Sequence, residues 1–205
     1  MNEALITRLK QCLTLPLPGR IAQLKMAPSY RPDVERPANA TKAGVLILLY
    51  PNPADLHIVF QKRTEYPGVH SAQISFPGGK FDSNDENLVE TAIRETEEEI
   101  GISNESIEVI GRLTPLYIPV SEIEVYPTVA FMAKKQSFTI DPEEVDYLIE
   151  EPLNNLLKPG IIQTKQYTSR QYSGIVPYYD IQGNHVWGAT AMILSEFIEV
   201  LVSAI

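Results

Sequence analysis

The densest chemistry in this 205-residue sequence lies between Gly78 and Ile102, GGKFDSNDENLVETAIRETEEEIGI. At about 100° per residue, a helix over Glu86 to Ile100 puts Leu88, Val89, Ala92, Ile93, Thr96 and Ile100 on one arc. Glu90, Arg94, Glu95 and Glu98 lie opposite, with Glu99 at the boundary. Glu95 and Glu99 are one turn apart and Glu98 sits between them, so three carboxylates are expected to converge. Such a patch costs a helix on the order of 1–2 kcal/mol, through like-charge repulsion and through opposition to the macrodipole at the C-terminal end. A hard divalent cation such as Mg²⁺ reverses that sign, because it prefers oxygen ligands and is commonly held by a few carboxylates together with substrate phosphates. A solvated acidic face is the competing reading, and Glu90 with Arg94 is an ordinary i,i+4 pair. Phe76-Pro77-Gly78-Gly79 tips the balance: it ends a strand with a turn that lets backbone approach a ligand, immediately before the acidic helix.

The elements that must position these residues follow from periodicity and breakers. Residues 3–14 read as a short amphipathic helix closed by Pro16 and Pro18, and Pro28 to Lys42 as a surface connection, with the body beginning near Ala43. Ala43–Tyr50 and Leu56–Lys62 are strand-like runs joined through Pro51-Asn52-Pro53, and Ser71–Phe76 is a third. Glu86–Ile100 is the clearest helix, stopped by Gly101, after which Ile107–Tyr117 and Val125–Met132 return to strand. Asp141-Pro142-Glu143-Glu144 predicts a further helix running towards Leu157. Strands are expected near 162–168, 174–181 and 185–187, and an amphipathic helix over Thr190–Ile205.

Composition narrows the function classes. With 44% hydrophobic residues the chain has the apolar content for one core of ordinary size. Seventeen basic against 26 acidic residues give a net charge of −9, which argues against generic binding to nucleic-acid backbone or to an anionic membrane. Cys12, the only cysteine, excludes an intramolecular disulfide framework and a thiolate zinc site, and a reducing cytoplasm fits it. The start lacks the layout of a secretory signal, and the most apolar runs fall short of a membrane span.

The acidic segment resembles the box of the Nudix hydrolases: Gly, five residues, Glu, seven residues, then Arg-Glu-U-x-Glu-Glu-x-Gly-U, with U apolar. Arg94-Glu95-Thr96-Glu97-Glu98-Glu99-Ile100-Gly101-Ile102 fits the second half, with Thr96 at an apolar position. The loop after Gly79 is one residue longer than the pattern, so Glu86 has the right spacing to Arg94 and Asp85 the right spacing to Gly79. Arg63-Thr64-Glu65 and Gly68 to Gly79 are similar to the extension upstream of the box in Nudix coenzyme A pyrophosphatases, with Ala72 where glycine is usual. Pro115–Ser121 and Trp187–Ala191 look like later segments of that branch, and the resemblance runs from about residue 43 to 197.

The resemblance implies an α/β/α sandwich with a mixed sheet over residues 43–205, with residues 1–42 an added helix and connection packing on it. It implies hydrolysis of coenzyme A or an acyl derivative to 3′,5′-ADP and the (acyl-)4′-phosphopantetheine. Mg²⁺ or Mn²⁺ would be held by Glu95, Glu98 and Glu99, with Glu86 and the Gly79 carbonyl; Arg94 would orient the glutamates, and Glu98 would take a proton. Arg63, His70, Gln73 and Gly78 would contact substrate. The partner is then a small molecule, with room left for a homodimer. Another diphosphate such as ADP-ribose, or a non-catalytic nucleotide-binding regulatory module, are the alternatives. Glu122, Glu124, Glu143 and Glu144 are further carboxylates open to a general-base role. Tyr167, Tyr172, Tyr178, Tyr179 and Trp187 read as sheet packing, with base stacking the minority reading.

Overall fold

The computed structural model describes residues 2–32, 34–53, 55–65, 72–168 and 173–205. At its centre is β1 (Thr41–Asn52), whose side chains alternate between two buried faces. Leu46, Leu48 and Tyr50 pack with Val59, Ala92, Ile100, Ala130 and Met132. Ile47 and Leu49 pack with Ile58, Phe60, Val129 and Phe131 in the larger core on the other face. A strand covered on both faces carries no polar alternation, hence the unbroken apolar run in the sequence.

β7 (Ile123–Phe131) runs parallel to β1 over Thr41–Leu49. β5 (Glu108–Arg112) and β6 (Leu116–Ile118) pair antiparallel with β7, which makes the sheet mixed. β2 (Asp55–Arg63) pairs with the last residues of β1, Leu49–Asn52, and then diverges from it. The fork holds β3 (Ile74–Ser75), paired to β2, and β4 (Gly78–Lys80), paired to β1 at Ala43–Val45. The Phe76–Gly79 turn is thus wedged into the sheet itself.

α3 (Leu88–Ile100) packs across β1 and β4. Asn87 caps it, its side chain accepting from Val89 N at 2.9 Å and Glu90 N at 3.3 Å, so the helix begins two residues later than periodicity suggests. Gly101 ends it in the left-handed region, φ 70°, donating to Glu97 O. α4 (Gly188–Ala204) covers the opposite face, and α1 (Asn2–Cys12) adds Ile6 and Leu9 to that core. β9 (Ile162–Thr168), β10 (Ser173–Ile181) and β11 (Asn184–Trp187) form a separate antiparallel sheet. No helix among the described residues is long and apolar enough to cross a membrane.

One expectation is corrected, and one element was not anticipated. The acidic stretch at Asp141 makes a single turn, with Val145 N donating to Asp141 O at 2.8 Å, and then enters β8 (Val145–Pro152) instead of a helix. β8 pairs along β2 from His57 to Arg63, so Val145, Tyr147 and Ile149, good strand formers, close an edge that would otherwise stand open. Leu153–Leu157 is a 3₁₀ turn. The unanticipated element is α2 (Gly19–Leu24), which sequence periodicity missed: its buried residues are Ala22 and Gln23, and its larger apolar ones, Ile21 and Leu24, face outward.

Candidate active site

The glycine turn and the acidic helix meet. A Cβ built on Gly79 would lie 2.3 Å from Glu95 Cδ, so any side chain there would displace the carboxylate. Gly78, at φ 145°, turns its N–H onto Glu99 Oε2 at 2.7 Å. The other Glu99 oxygen accepts from Arg63 Nη1 at 3.0 Å, and Arg63 also reaches Glu144 Oε2 at 3.7 Å. Glu99, expected at a boundary, is only 1% exposed. The sheet fork explains this, because β2 supplies Arg63, β4 supplies Gly78, and the end of α3 lies against both.

Arg94 is the hub on the outer side. It bonds Asp85, which lies 3% side-chain exposed, through Nε and Nη2, and it reaches Glu95 at 3.0 Å and Glu98 at 2.9 Å through Nη1. Of the two residues left open by the longer loop, Asp85 is therefore the one tied to the arginine. Glu86 is exposed, its backbone N–H donating to the Glu90 carboxylate. Thr96, at the position where an apolar residue is usual, is buried with its hydroxyl donating to Ala92 O at 2.6 Å.

The electrostatics divide these acids. Burial pushes Glu99 up to about 7, partly offset by the Gly78 N–H and by Arg63. Burial also raises Glu95, against the hydrogen bond from Arg94 and with Glu98 and Glu144 adding repulsion. Asp85 is shifted the other way, held below the usual carboxylate range chiefly by Arg94 against its own desolvation. Among the described residues no three acidic, His or Cys side chains close into a ligand cage. The two acids raised by desolvation are Glu95, half-buried against Gly79, and Glu99, fully buried on the Gly78 N–H; with the Gly79 carbonyl they make an oxygen-rich set that suits a hard divalent cation. Glu98, 59% side-chain exposed, is held outward by Arg94.

Arg63, Gln73, Gly78, Gly79 and Glu95 all line one cleft of about 810 Å³. His70 lies outside the described residues, as do Gly68 to Ser71 of the upstream extension. Of the other acids, Glu124 is paired with Arg36 at 3.0 Å and with the Tyr126 hydroxyl, while Glu143 and Glu144 accept from Thr64 through their backbone carbonyls. Only Glu144 among these presents its carboxylate to Arg63. The sequence reading missed the contribution of Tyr30 and Arg31, which line the same cleft although they precede the body of the domain. No periodicity or motif signals them.

A profile of the NUDIX domain matches residues 40–170. The protein named uncharacterized Nudix hydrolase NudL of Pectobacterium atrosepticum is 34% identical over 181 residues, covering 85% of this chain and 88% of that one. Nudix hydrolase 22, chloroplastic, of Arabidopsis thaliana is 31% identical over 160 residues, 75% of this chain and 53% of the plant protein. Among solved structures, the MutT protein of Methanosarcina mazei Go1 aligns with a TM-score of 0.52 at 16% identity, over 82% of this chain and 96% of that one. The MutT/nudix family protein of Enterococcus faecalis aligns with a TM-score of 0.51 at 19% identity, over 85% and 66%. Both share the fold.

Proposed function

The chain belongs to the Nudix family and is a hydrolase of nucleoside diphosphate derivatives, and from that premise we propose that its substrate is coenzyme A or an acyl-coenzyme A. The products would be 3′,5′-ADP and the (acyl-)4′-phosphopantetheine. The observation that carries this reading is where the upstream extension lies: Arg63, Gln73, Ser75, Phe76, Gly78 and Gly79 line one cleft with Glu95, and that cleft continues onto an apolar and aromatic wall. A substrate with a diphosphate between two large groups suits such a shape.

Nudix hydrolases generally use a divalent cation. In this chain Glu95, Glu99 and the Gly79 carbonyl would hold Mg²⁺ or Mn²⁺, with Glu98 joining from Arg94 and Glu86 the outermost candidate. Such an ion neutralises diphosphate oxygens and acidifies bound water. The protein's own part is positioning. Asp85 fixes Arg94, Arg94 orients Glu95 and Glu98, and Arg63 and the Gly78 N–H fix Glu99. Attack at phosphorus needs little covalent help from side chains, so alignment and charge neutralisation supply most of the acceleration. Glu98 accepts the proton of the attacking water. Residues 43–205 form the hydrolase domain in this reading, with 1–42 packed on it.

The test is a product-resolved screen of nucleoside diphosphate derivatives with Mg²⁺ and with Mn²⁺. Coenzyme A cleaved to 3′,5′-ADP, and no activity in chelator, is the expected result. Far faster turnover of ADP-ribose would reject this substrate and keep the family chemistry. No turnover of any diphosphate would leave a nucleotide-binding regulatory module.

A further inference from the structure

The segment before the domain body is built into the cleft. Ser29 N donates to Ile175 O at 3.0 Å and Ile175 N donates to Ser29 Oγ at 3.0 Å, which fastens the chain at Pro28–Arg31 along the edge of β10. Gly174 makes the approach possible, since a Cβ there would lie 2.4 Å from Ser29 Oγ and 3.0 Å from Tyr30 Cδ1. Tyr30 then stacks on Tyr167 at 5.9 Å and 24°, and Tyr167 lies 5.2 Å from Trp187 at 42°. The three rings form a row contributed by three separate segments. None is buried as core packing would require, and all three line the cleft that also holds Gly79 and Glu95.

A cation accompanies the rings. Arg31 is half-buried in the same wall, its guanidinium fixed by donation to Tyr117 O, in a chain whose net charge is −9. Aromatic faces beside an arginine fork are the chemistry that receives a heterocyclic base and a phosphate, because every base offers a π-face and guanidinium matches phosphate geometry. A pantetheine arm, saturated and amide-rich, needs neither.

We propose that Tyr30, Tyr167 and Trp187 form the nucleobase subsite of this cleft, and that Arg31 receives a phosphate carried on the ribose of the same nucleotide. The inference rests on the hydrolase reading above and assigns the ends of the cleft: base at the aromatic wall, diphosphate at Gly79 and Glu95. It also gives the N-terminal connection a role in substrate selection.

Trp187 is the only tryptophan in the chain, so its fluorescence reports on the subsite without turnover. Adenosine 3′,5′-bisphosphate titrated into the full-length protein in chelator is expected to change that fluorescence saturably. Tyr30→Ala should weaken Kd about tenfold and Tyr30→Phe should stay within about twofold of wild type, because the ring and not the hydroxyl does the stacking. Arg31→Gln should erase most of the preference for adenosine 3′,5′-bisphosphate over AMP. An unchanged Kd in Tyr30→Ala, a loss in Tyr30→Phe equal to that in Tyr30→Ala, or saturation by 4′-phosphopantetheine with none by the adenine nucleotide would each overturn the subsite. Coenzyme A turnover measured alongside separates the two readings. Nucleotide binding with no diphosphate turnover defeats the hydrolase reading alone, and turnover with a Kd indifferent to Tyr30→Ala defeats the subsite alone.

Discussion

Asp85 grips Arg94 through two hydrogen bonds, Nε to Oδ1 at 2.8 Å and Nη2 to Oδ2 at 3.1 Å, while Thr91 Oγ1 donates to the same carboxylate at 2.7 Å. That leaves Nη1 of Arg94 for Glu95 and Glu98. A residue before the helix thereby sets the direction of two glutamates on it. Asp85→Asn is expected to lower kcat about ten- to a hundredfold and to weaken the response to Mg²⁺, since residues that orient metal-binding carboxylates act on this scale. Glu86→Gln should cost clearly less. Steady-state kinetics over a metal titration check the order; if Glu86→Gln proves the more damaging, the orienting role of Asp85 is lost.

Glu99 makes the metal-free stability depend on pH. Its native pKa is raised from 4.5 to about 7 by burial. The contribution to stability is therefore fully present below about pH 4.5 and is lost as pH rises through about 7, since the native state holds the proton longer than the unfolded one. In chelator, the thermal midpoint of wild type should fall relative to that of Glu99→Gln between pH 5 and pH 8. Mg²⁺ or Mn²⁺ at pH 8 should restore it, because binding to the native state raises stability by mass action. The variant should gain little and should lose most activity. Parallel midpoints across that range would show that the native state does not hold the Glu99 proton longer than the unfolded one, and equal metal responses would show that Glu99 does not bind the ion.

Glu98 and Glu144 are both exposed and each faces an arginine of the site, Glu98 facing Arg94 and Glu144 facing Arg63. If Glu98 takes the proton, Glu98→Gln should lower kcat about a hundredfold with KM little changed. Glu144→Gln should cost no more than about tenfold, through the orientation of Arg63, 3.7 Å away. The reverse order, measured by kcat at saturating metal, moves the base role to Glu144.

Glu196 ties the N-terminal segment to the core. Fully buried on α4, it accepts from Gly19 N at 3.1 Å, Gln23 Nε2 at 2.8 Å, Thr114 N at 3.2 Å and Thr114 Oγ1 at 2.6 Å. Glu196→Ala should strand these donors and destabilise the protein by about 3 kcal/mol, a fall of about 6–12 °C in midpoint by calorimetry. A loss under 1 kcal/mol would show that water replaces the carboxylate freely.

The acidic helix and its glycine turn were legible in the linear sequence because their chemistry is local: carboxylate spacing along one helix, a Gly-Gly turn before it and a glycine after it are all properties of adjacent residues. The apolar run of β1 and the strands of the second sheet were legible for the same reason. What the order of residues alone left open is what depends on who sits opposite whom. Asp141 to Leu157 carries the acidic start of a helix, yet β8 forms because the edge of β2 is there to be paired. Which of Asp85 and Glu86 is tied to Arg94 turned on which carboxylate the fold buries against it, a matter of a single residue in a loop. Glu99 looked half-solvated on a helical wheel and became buried because the fork between β1 and β2 brings Gly78 and Arg63 onto it. Tyr30 and Arg31 carry no local signal at all. Contacts that span most of the chain, Ser29 with Ile175, Tyr30 with Tyr167 and Arg31 with Tyr117 O, bring them to the cleft.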